Sequence, residues 1–247
     1  MRVAALYDIH GNLPALEAVL REVRQTNVDQ VVVGGDVFPG PMCVEVLKRL
    51  RDLDVPVQFI QGNGEREVLA LRTGARSTVP EQYRAAVRWV AEQLGPDDEQ
   101  FISNWPLTLR VAIPPLGDVL FCHATPRNDT EIFTRLTRDD VLVPIFSGLG
   151  ASLVVCGHTH MQFDRSVGGV RVVNAGSVGM PFGGTGAFWL LLGPNVELRH
   201  TEYDLVTAAE RMRGTAYPLV EELAVRYVLA PPSEEEMLEL YRPAELK

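Results

Sequence analysis

Apolar runs and helical spacings alternate along the first quarter of the chain. Residues 2–7 are an apolar run that reads as a buried strand, and it ends at Asp8. Apolar residues then recur at helical spacing from Leu13 to Val23. The pattern repeats with a strand at Gln30–Gly34 ending in Gly35-Asp36, a helix over Pro41–Arg51, and a strand at Val55–Ile60 ending in Gly62-Asn63-Gly64-Glu65. Strands alternating with helices predict a parallel sheet with right-handed crossovers. All three polar turns fall at the carboxyl ends of those strands, where such sheets gather ligands.

The rest of the chain differs in character. Helical spacing over Glu65–Leu71 and Pro80–Leu94 predicts helices at residues 65–105, either an excursion packed beside the sheet and overhanging the strand ends or plain crossover helices. From Leu107 the elements become short strands. Leu107–Ile113 and Asp118–Cys122 flank a Pro-Pro turn, and the second of them delivers His123. A helix at Asp139–Leu149 precedes a strand at Ser152–Cys156, which delivers Gly157-His158-Thr159-His160. Gly168-Gly169 joins a hairpin, and Ala187–Leu192 with Val196–Thr201 makes a further pair. These strands predict a second sheet packed on the first. The tail, residues 204–247, is helical and acidic. No repeat or clean boundary interrupts the chain, so residues 1–247 read as a single domain.

Composition narrows the partners. A formal charge of −9 and a pI near 5.1 argue against a broad phosphate-neutralising surface, so bulk nucleic-acid binding is not expected. An anionic small substrate stays compatible, because bound divalent cations reverse the local field. Cys43, Cys122 and Cys156 form no CxxC pair and read as buried thiols of a reducing compartment. The first strand begins at once, without a leader pattern, and the apolar run Ala187–Leu192 is too short to span a bilayer. The expectation is a cytoplasmic protein without membrane association.

Candidate chemistry concentrates at strand ends. Of five histidines, His10, His123, His158 and His160 lie there, together with Asp8, Asp36 and Asn63. Each alone has a plain reading, as a helix cap or a packed core residue. Seven on loops of one sheet edge read as a ligand set for two adjacent divalent cations. Mixed imidazole, carboxylate and amide donors suit manganese, iron or zinc. Two ions at ~3.5–4 Å need a bridging carboxylate, and Asp36 is placed to supply it. His200 lies elsewhere and reads as a strand or surface residue.

The ordered series Asp8-x-His10, Gly35-Asp36, Gly62-Asn63, His123 and Gly157-His158-Thr159-His160 resembles the calcineurin-like metallophosphoesterase superfamily. The compact form is similar to its small prokaryotic phosphodiesterases. The resemblance implies a four-layer α-β-β-α sandwich of two mixed sheets flanked by helices. It implies one metal held by Asp8, His10, Asp36 and His160, and another by Asp36, Asn63, His123 and His158. The implied reaction is in-line attack of a metal-bridging hydroxide on a phosphodiester or phosphomonoester of a nucleotide-like or other small substrate.

One position departs from the family pattern, which places a histidine after the asparagine. Here that position is Gly64, so the imidazole expected to protonate the leaving group is absent, a contribution worth ~10²–10⁴-fold. Restoring it as Gly64→His is expected to speed alkyl esters more than nitrophenyl esters. Glu65 reads as a helix N-terminal carboxylate, and Arg127 as either a phosphate contact or a solvated surface arginine. The alternatives are a phosphoprotein phosphatase, or a low-activity metal-binding scaffold of the same fold.

Overall fold

Val3–Leu6 is apolar at every position, so it is stable only where both of its faces are covered. In the computed structural model, which describes residues 1–247, this segment is β1, at the centre of a five-stranded sheet. β2 (Gln30–Val33) pairs parallel with it, from Val3 against Gln30 to Leu6 against Val33, and β3 (Val57–Phe59) pairs parallel with β2. The crossovers are α1 (Leu13–Gln25) and α2 (Cys43–Arg51), as the apolar periodicity predicts.

The excursion holds α3 (Asn63–Thr73), α4 (Glu81–Gln93) and α5 (Pro96–Ser103). Ala86, Val87 and Val90 of α4 pack into the core that α1 and α2 share with the first sheet. The apolar pattern does not announce α5, in which only Ile102 is buried. Its signals are Pro96 at the start and Asp97, Asp98 and Glu99 in the first turn.

The second sheet takes β4 (Thr108–Ile113), β5 (Gly117–Cys122), β6 (Leu153–Cys156), β7 (Phe163–Val167) and β8 (Val170–Asn174), in the order β4-β5-β6-β8-β7. One expectation fails here. β9 (Ala187–Leu192) and β10 (Val196–Thr201) do not extend this sheet. β9 pairs antiparallel with β1, and β10 with β9, which completes the first sheet. The reason lies in β9 itself: Ala187, Trp189 and Leu191 face one core while Leu190 and Leu192 face another. A strand apolar on both sides belongs in a sheet interior.

Alternation along β1 sorts the layers. Val3, Ala5 and Tyr7 meet Val119, Phe121 and Val155 between the two sheets, and the Tyr7 hydroxyl donates to the Val155 carbonyl at 3.1 Å. Ala4 and Leu6 turn outward onto Leu16, Val19, Leu47 and Leu50 of α1 and α2. Beyond the second sheet, Leu120 and Val154 pack against Leu142 and Phe146 of α6 (Asp139–Phe146). The fold is the four-layer sandwich of two mixed sheets that the sequence led us to expect.

The tail contains α7 (Leu205–Arg213), α8 (Val220–Glu222), a π-helical continuation at Leu223–Leu229, and α9 (Glu234–Tyr241). Ala208, Met212, Leu223 and Val228 close over Met42, while Met237 packs with Met161 and Phe182. The tail therefore lies against the loops that leave the strand ends. Its last residues return to the second sheet's side, where Leu246 N donates to Ile132 O at 2.9 Å. No helix is long and apolar enough to cross a membrane.

Candidate metal centre

The seven strand-end side chains converge, and the backbone is bent to bring them together. Asp8 and His10 follow β1, Asp36 follows β2, Asn63 opens α3, His123 follows β5, and His158 and His160 follow β6. Asp8, His10, Asp36, His158 and His160 all have positive φ, between 46° and 67°; Asn27 is the one other non-glycine residue that does. Such a conformation costs about 1–3 kcal/mol per residue and persists only where the surroundings enforce it.

The enforcing contacts are present. Asp8 N donates to Gly35 O at 3.1 Å and His10 N to Asp36 O at 3.0 Å, which locks the first two turns together. Ser177 Oγ donates to the Asp8 carbonyl at 2.7 Å, His158 N donates to Asp8 Oδ2 at 2.9 Å, and Asn174 Nδ2 donates to Gly157 O at 2.7 Å.

Three imidazoles are aimed by carbonyl groups. His10 Nδ1 lies 3.3 Å from Pro39 O, His123 Nδ1 2.9 Å from Gly34 O, and His160 Nδ1 2.7 Å from Met180 O. A carbonyl only accepts, so each Nδ1 carries the proton and each Nε2 presents a lone pair inward. His10 Nε2 and His160 Nε2 are 3.2 Å apart. His160 Nε2 is 3.3 Å from Asp8 Oδ1, a buried oxygen with no hydrogen-bond partner. Asp36 Oδ2 lies 3.8 Å from His10 Nε2 while its Oδ1 lies 3.5 Å from His123 Nε2, so one carboxylate faces both clusters. Asp8 also faces both, because its Oδ1 is 3.9 Å from His123 Nε2.

Lone pairs pointed at lone pairs repel, and an orphaned buried carboxylate oxygen costs several kcal/mol. Divalent cations remove both penalties, so the donor set fits them. Asn63 fits as well. With its oxygen inward it lies 3.1 Å from His123 Nε2, whereas the reverse orientation would hand an N–H to His158 Nδ1 at 3.0 Å. A cation held by these residues would select the first.

The electrostatics agree. Burial, with His160 nearby, holds the His10 imidazole down to about 3, and burial with His123 nearby does the same for His158. Both rings are therefore neutral donors at neutral pH. Burial and the Asp8 charge push the Asp36 carboxyl well up. Burial opposes the charge on Asp8 too, but the facing His160, His123 and His10 rings pull its carboxyl below the usual carboxylate range. A cation would offset the repulsion between these two carboxylates.

Residues 1–192 match the calcineurin-like phosphoesterase superfamily domain. The chain belongs to that superfamily. This calcineurin-like phosphoesterase is thus a metal-dependent phosphoester hydrolase. It is 27% identical over 241 residues to the protein MJ0912 of Methanocaldococcus jannaschii, covering 87% of this chain and 93% of that one. Against the phosphodiesterase YfcE of Escherichia coli, identity is 25% over 211 residues, 79% of this chain and 89% of that one. The crystal structure of a metallophosphoesterase from Sphaerobacter thermophilus shares its fold with a TM-score of 0.71 at 25% identity, covering 91% of this chain and 98% of that one.

In this calcineurin-like phosphoesterase, position 64 is closed to any side chain. A Cβ on Gly64 would lie 2.0 Å from the Phe38 carbonyl oxygen and 3.0 Å from Asp36 Oδ1. Gly64 N donates to that same Asp36 oxygen at 2.7 Å. The expectation that Gly64→His simply restores an imidazole is therefore corrected: the backbone occupies the space.

Glu65 has a larger role than a helix-terminal charge. Fully buried, its carboxylate accepts from the N–H groups of Gly62 at 2.8 Å, Asp36 at 2.9 Å, Val37 at 2.8 Å and Phe38 at 3.2 Å. It clamps the second turn to the third. Burial and the Asp36 charge push its carboxyl up to about 7. Glu65→Ala strands these donors and is expected to destabilise the fold by about 3 kcal/mol or more. That is a melting-point drop of about 6–12 °C by calorimetry; an unchanged melting point would contradict the clamp.

Sequence reasoning did not find the clamp, because its partners at Asp36, Val37 and Phe38 lie far along the chain. Asn12 was within reach: it caps α1 by accepting from Ala15 N at 3.1 Å, and its Nδ2 donates to Gly179 O at 2.8 Å. Arg127 and His123 both line a cavity of about 170 Å³, where the exposed Arg127 guanidinium pairs with Glu131 at 2.7 Å. His200 is outside the site, 2.8 Å from Thr185 O and stacked on Phe188.

Proposed function

We propose that this protein hydrolyses phosphodiesters or phosphomonoesters of nucleotide-like or other small molecules with two divalent cations, manganese, iron or zinc. Asp8, His10, Asp36 and His160 would hold one cation; Asp36, Asn63, His123 and His158 would hold the other. The observation that carries this reading is the partnerless Asp8 Oδ1 set among the Nε2 lone pairs of His10, His123 and His160. When bound, the cations supply charge for the phosphoryl oxygens and lower the pKa of water.

The chain's own residues set the limits. Asp36 presents one oxygen to each cluster, Glu65 fixes the turn that carries it, and the carbonyls of Pro39, Gly34 and Met180 hold three imidazoles in one tautomer. Gly64 offers no proton donor to a leaving group. Cavities of about 170 Å³ beside His123 and about 150 Å³ beside His10 suit small substrates better than a protein segment. Three buried free thiols favour the cytoplasm.

Arg127 is the proposed phosphate contact, exchanging Glu131 for a phosphoryl oxygen. Arg127→Ala is expected to raise KM about tenfold with little change in kcat; an unchanged KM removes Arg127 from the site. The ligand assignment is tested by titrating the metal-free chain with manganese. Two equivalents should bind to the wild type, and fewer to His160→Ala and His123→Ala. A single equivalent in the wild type would contradict the two-metal reading.

A further inference from the structure

A second cavity, of about 150 Å³, opens beside His10 and is built largely from the tail. Its walls include Tyr83 of α4 and Tyr217, Leu219 and Tyr227 of the tail, with Glu222 as the one carboxylate. These tail residues lie beyond residue 192, where the match to the superfamily domain ends. The pocket is therefore built on the tail that follows the superfamily domain and is set against His10.

The lining states what would fit. Three tyrosine rings and aliphatic side chains favour a flat apolar group. A cavity of this volume is on the scale that holds a single benzene-sized ring. Glu222 at the wall repels a second negative charge, so the group entering here is uncharged and does not carry another phosphate.

Position 64 points the same way. The Phe38 carbonyl lies where a Gly64 side chain would begin, so no residue there can protonate a departing alkoxide. The next residue, Pro39, lines the pocket. An aryl oxide needs far less protonation than an alkyl oxide, because its conjugate acid titrates near ~10. An uncharged aromatic ring on the ester oxygen satisfies both the shape of the pocket and the missing acid.

Resting on the phosphoesterase reading above, we infer that the substrates are aryl esters of phosphate, with the aromatic ring seated in the tail-built pocket beside His10. In the hydrolysis, the bond between phosphorus and the aryl oxygen breaks and one from phosphorus to a water oxygen forms. The aryl oxide departs, and the proton lost by water passes to it or to solvent.

The test is calorimetric binding of phenylphosphonate and methylphosphonate to the manganese-loaded chain, neither of which can be turned over. The wild type should bind the phenyl ligand at least about tenfold more tightly, because the ring buries apolar area. Leu219→Trp, which fills the pocket, and Tyr227→Ala, which removes one wall, should each bring the ratio towards one. Equal affinities in the wild type, or a ratio untouched by both substitutions, would overturn the pocket assignment while leaving phosphoester hydrolysis standing. Adenosine monophosphate serves as a third ligand. A tail-dependent preference for it, with none for phenylphosphonate, would place a nucleobase here and overturn the aryl-ester inference. Failure of every phosphonate to bind, in a chain inert towards phosphate esters, would sink the phosphoesterase reading itself.

Discussion

Asp36→Asn is expected to lower phosphoester hydrolysis by the manganese-loaded chain more than about a hundredfold. Loss of a partner that merely orients a ligand costs ~10–100-fold, and Asp36 is proposed to be a ligand shared by both ions. The geometry explains why the amide cannot substitute. Asp36 Oδ1 accepts from Gly64 N at 2.7 Å, while Oδ2 faces His10 Nε2 at 3.8 Å. An asparagine that keeps its oxygen on Gly64 turns an NH₂ towards His10 and the cation position. The reverse orientation sets an NH₂ against the Gly64 N–H. Either way a negative charge is lost where the two proposed cations would need it. Fold stability should hold or rise in the metal-free variant, because two repelling carboxylates become one. Comparing kcat/KM and metal-free melting point for the two proteins checks both halves. Retained activity in Asp36→Asn would remove Asp36 from the centre.

Gly64→Ala is expected to damage the same centre from the backbone side. Its Cβ would fall 2.0 Å from Phe38 O, and backbone yields less readily than a side chain. Overpacking of this kind costs about 1–3 kcal/mol, which at this chain length is a melting-point drop of about 2–12 °C. Relief requires moving α3 or the turn at Asp36, and that breaks the Gly64–Asp36 hydrogen bond. Manganese affinity should therefore fall together with stability, and Gly64→His should be worse on both counts. A Gly64→His protein that melts normally and hydrolyses alkyl esters faster would show that position 64 is open to a side chain after all.

Much of the architecture was legible because it is local. β1, β2 and their helices follow from apolar spacing within stretches of a dozen residues, and the placement of Asp8, Asp36 and His123 at strand ends follows from where those runs stop. The convergence of the seven side chains is then a consequence of sheet topology. What escaped is non-local or sterically specific. The place of β9 beside β1 depends on pairing residues about three-quarters of the chain apart, such as Val3 with Leu192. The Glu65 clamp joins residues 27 to 29 positions away, and no spacing rule encodes it. Gly64 looked like a missing side chain, but it is a position where the Phe38 carbonyl leaves no room for one. The tail reads simply as acidic helices. Only its packing reveals that Tyr217 and Tyr227 stand beside His10.

The most direct measurement is turnover of bis-p-nitrophenyl phosphate by the wild-type chain, first stripped of metal with a chelator and then titrated with manganese. Hydrolysis of this diester or of its monoester should be absent from the stripped protein and return as the second equivalent of manganese binds. A metal-loaded chain that is inert towards both esters, or a stripped chain that hydrolyses them unchanged, would contradict the account.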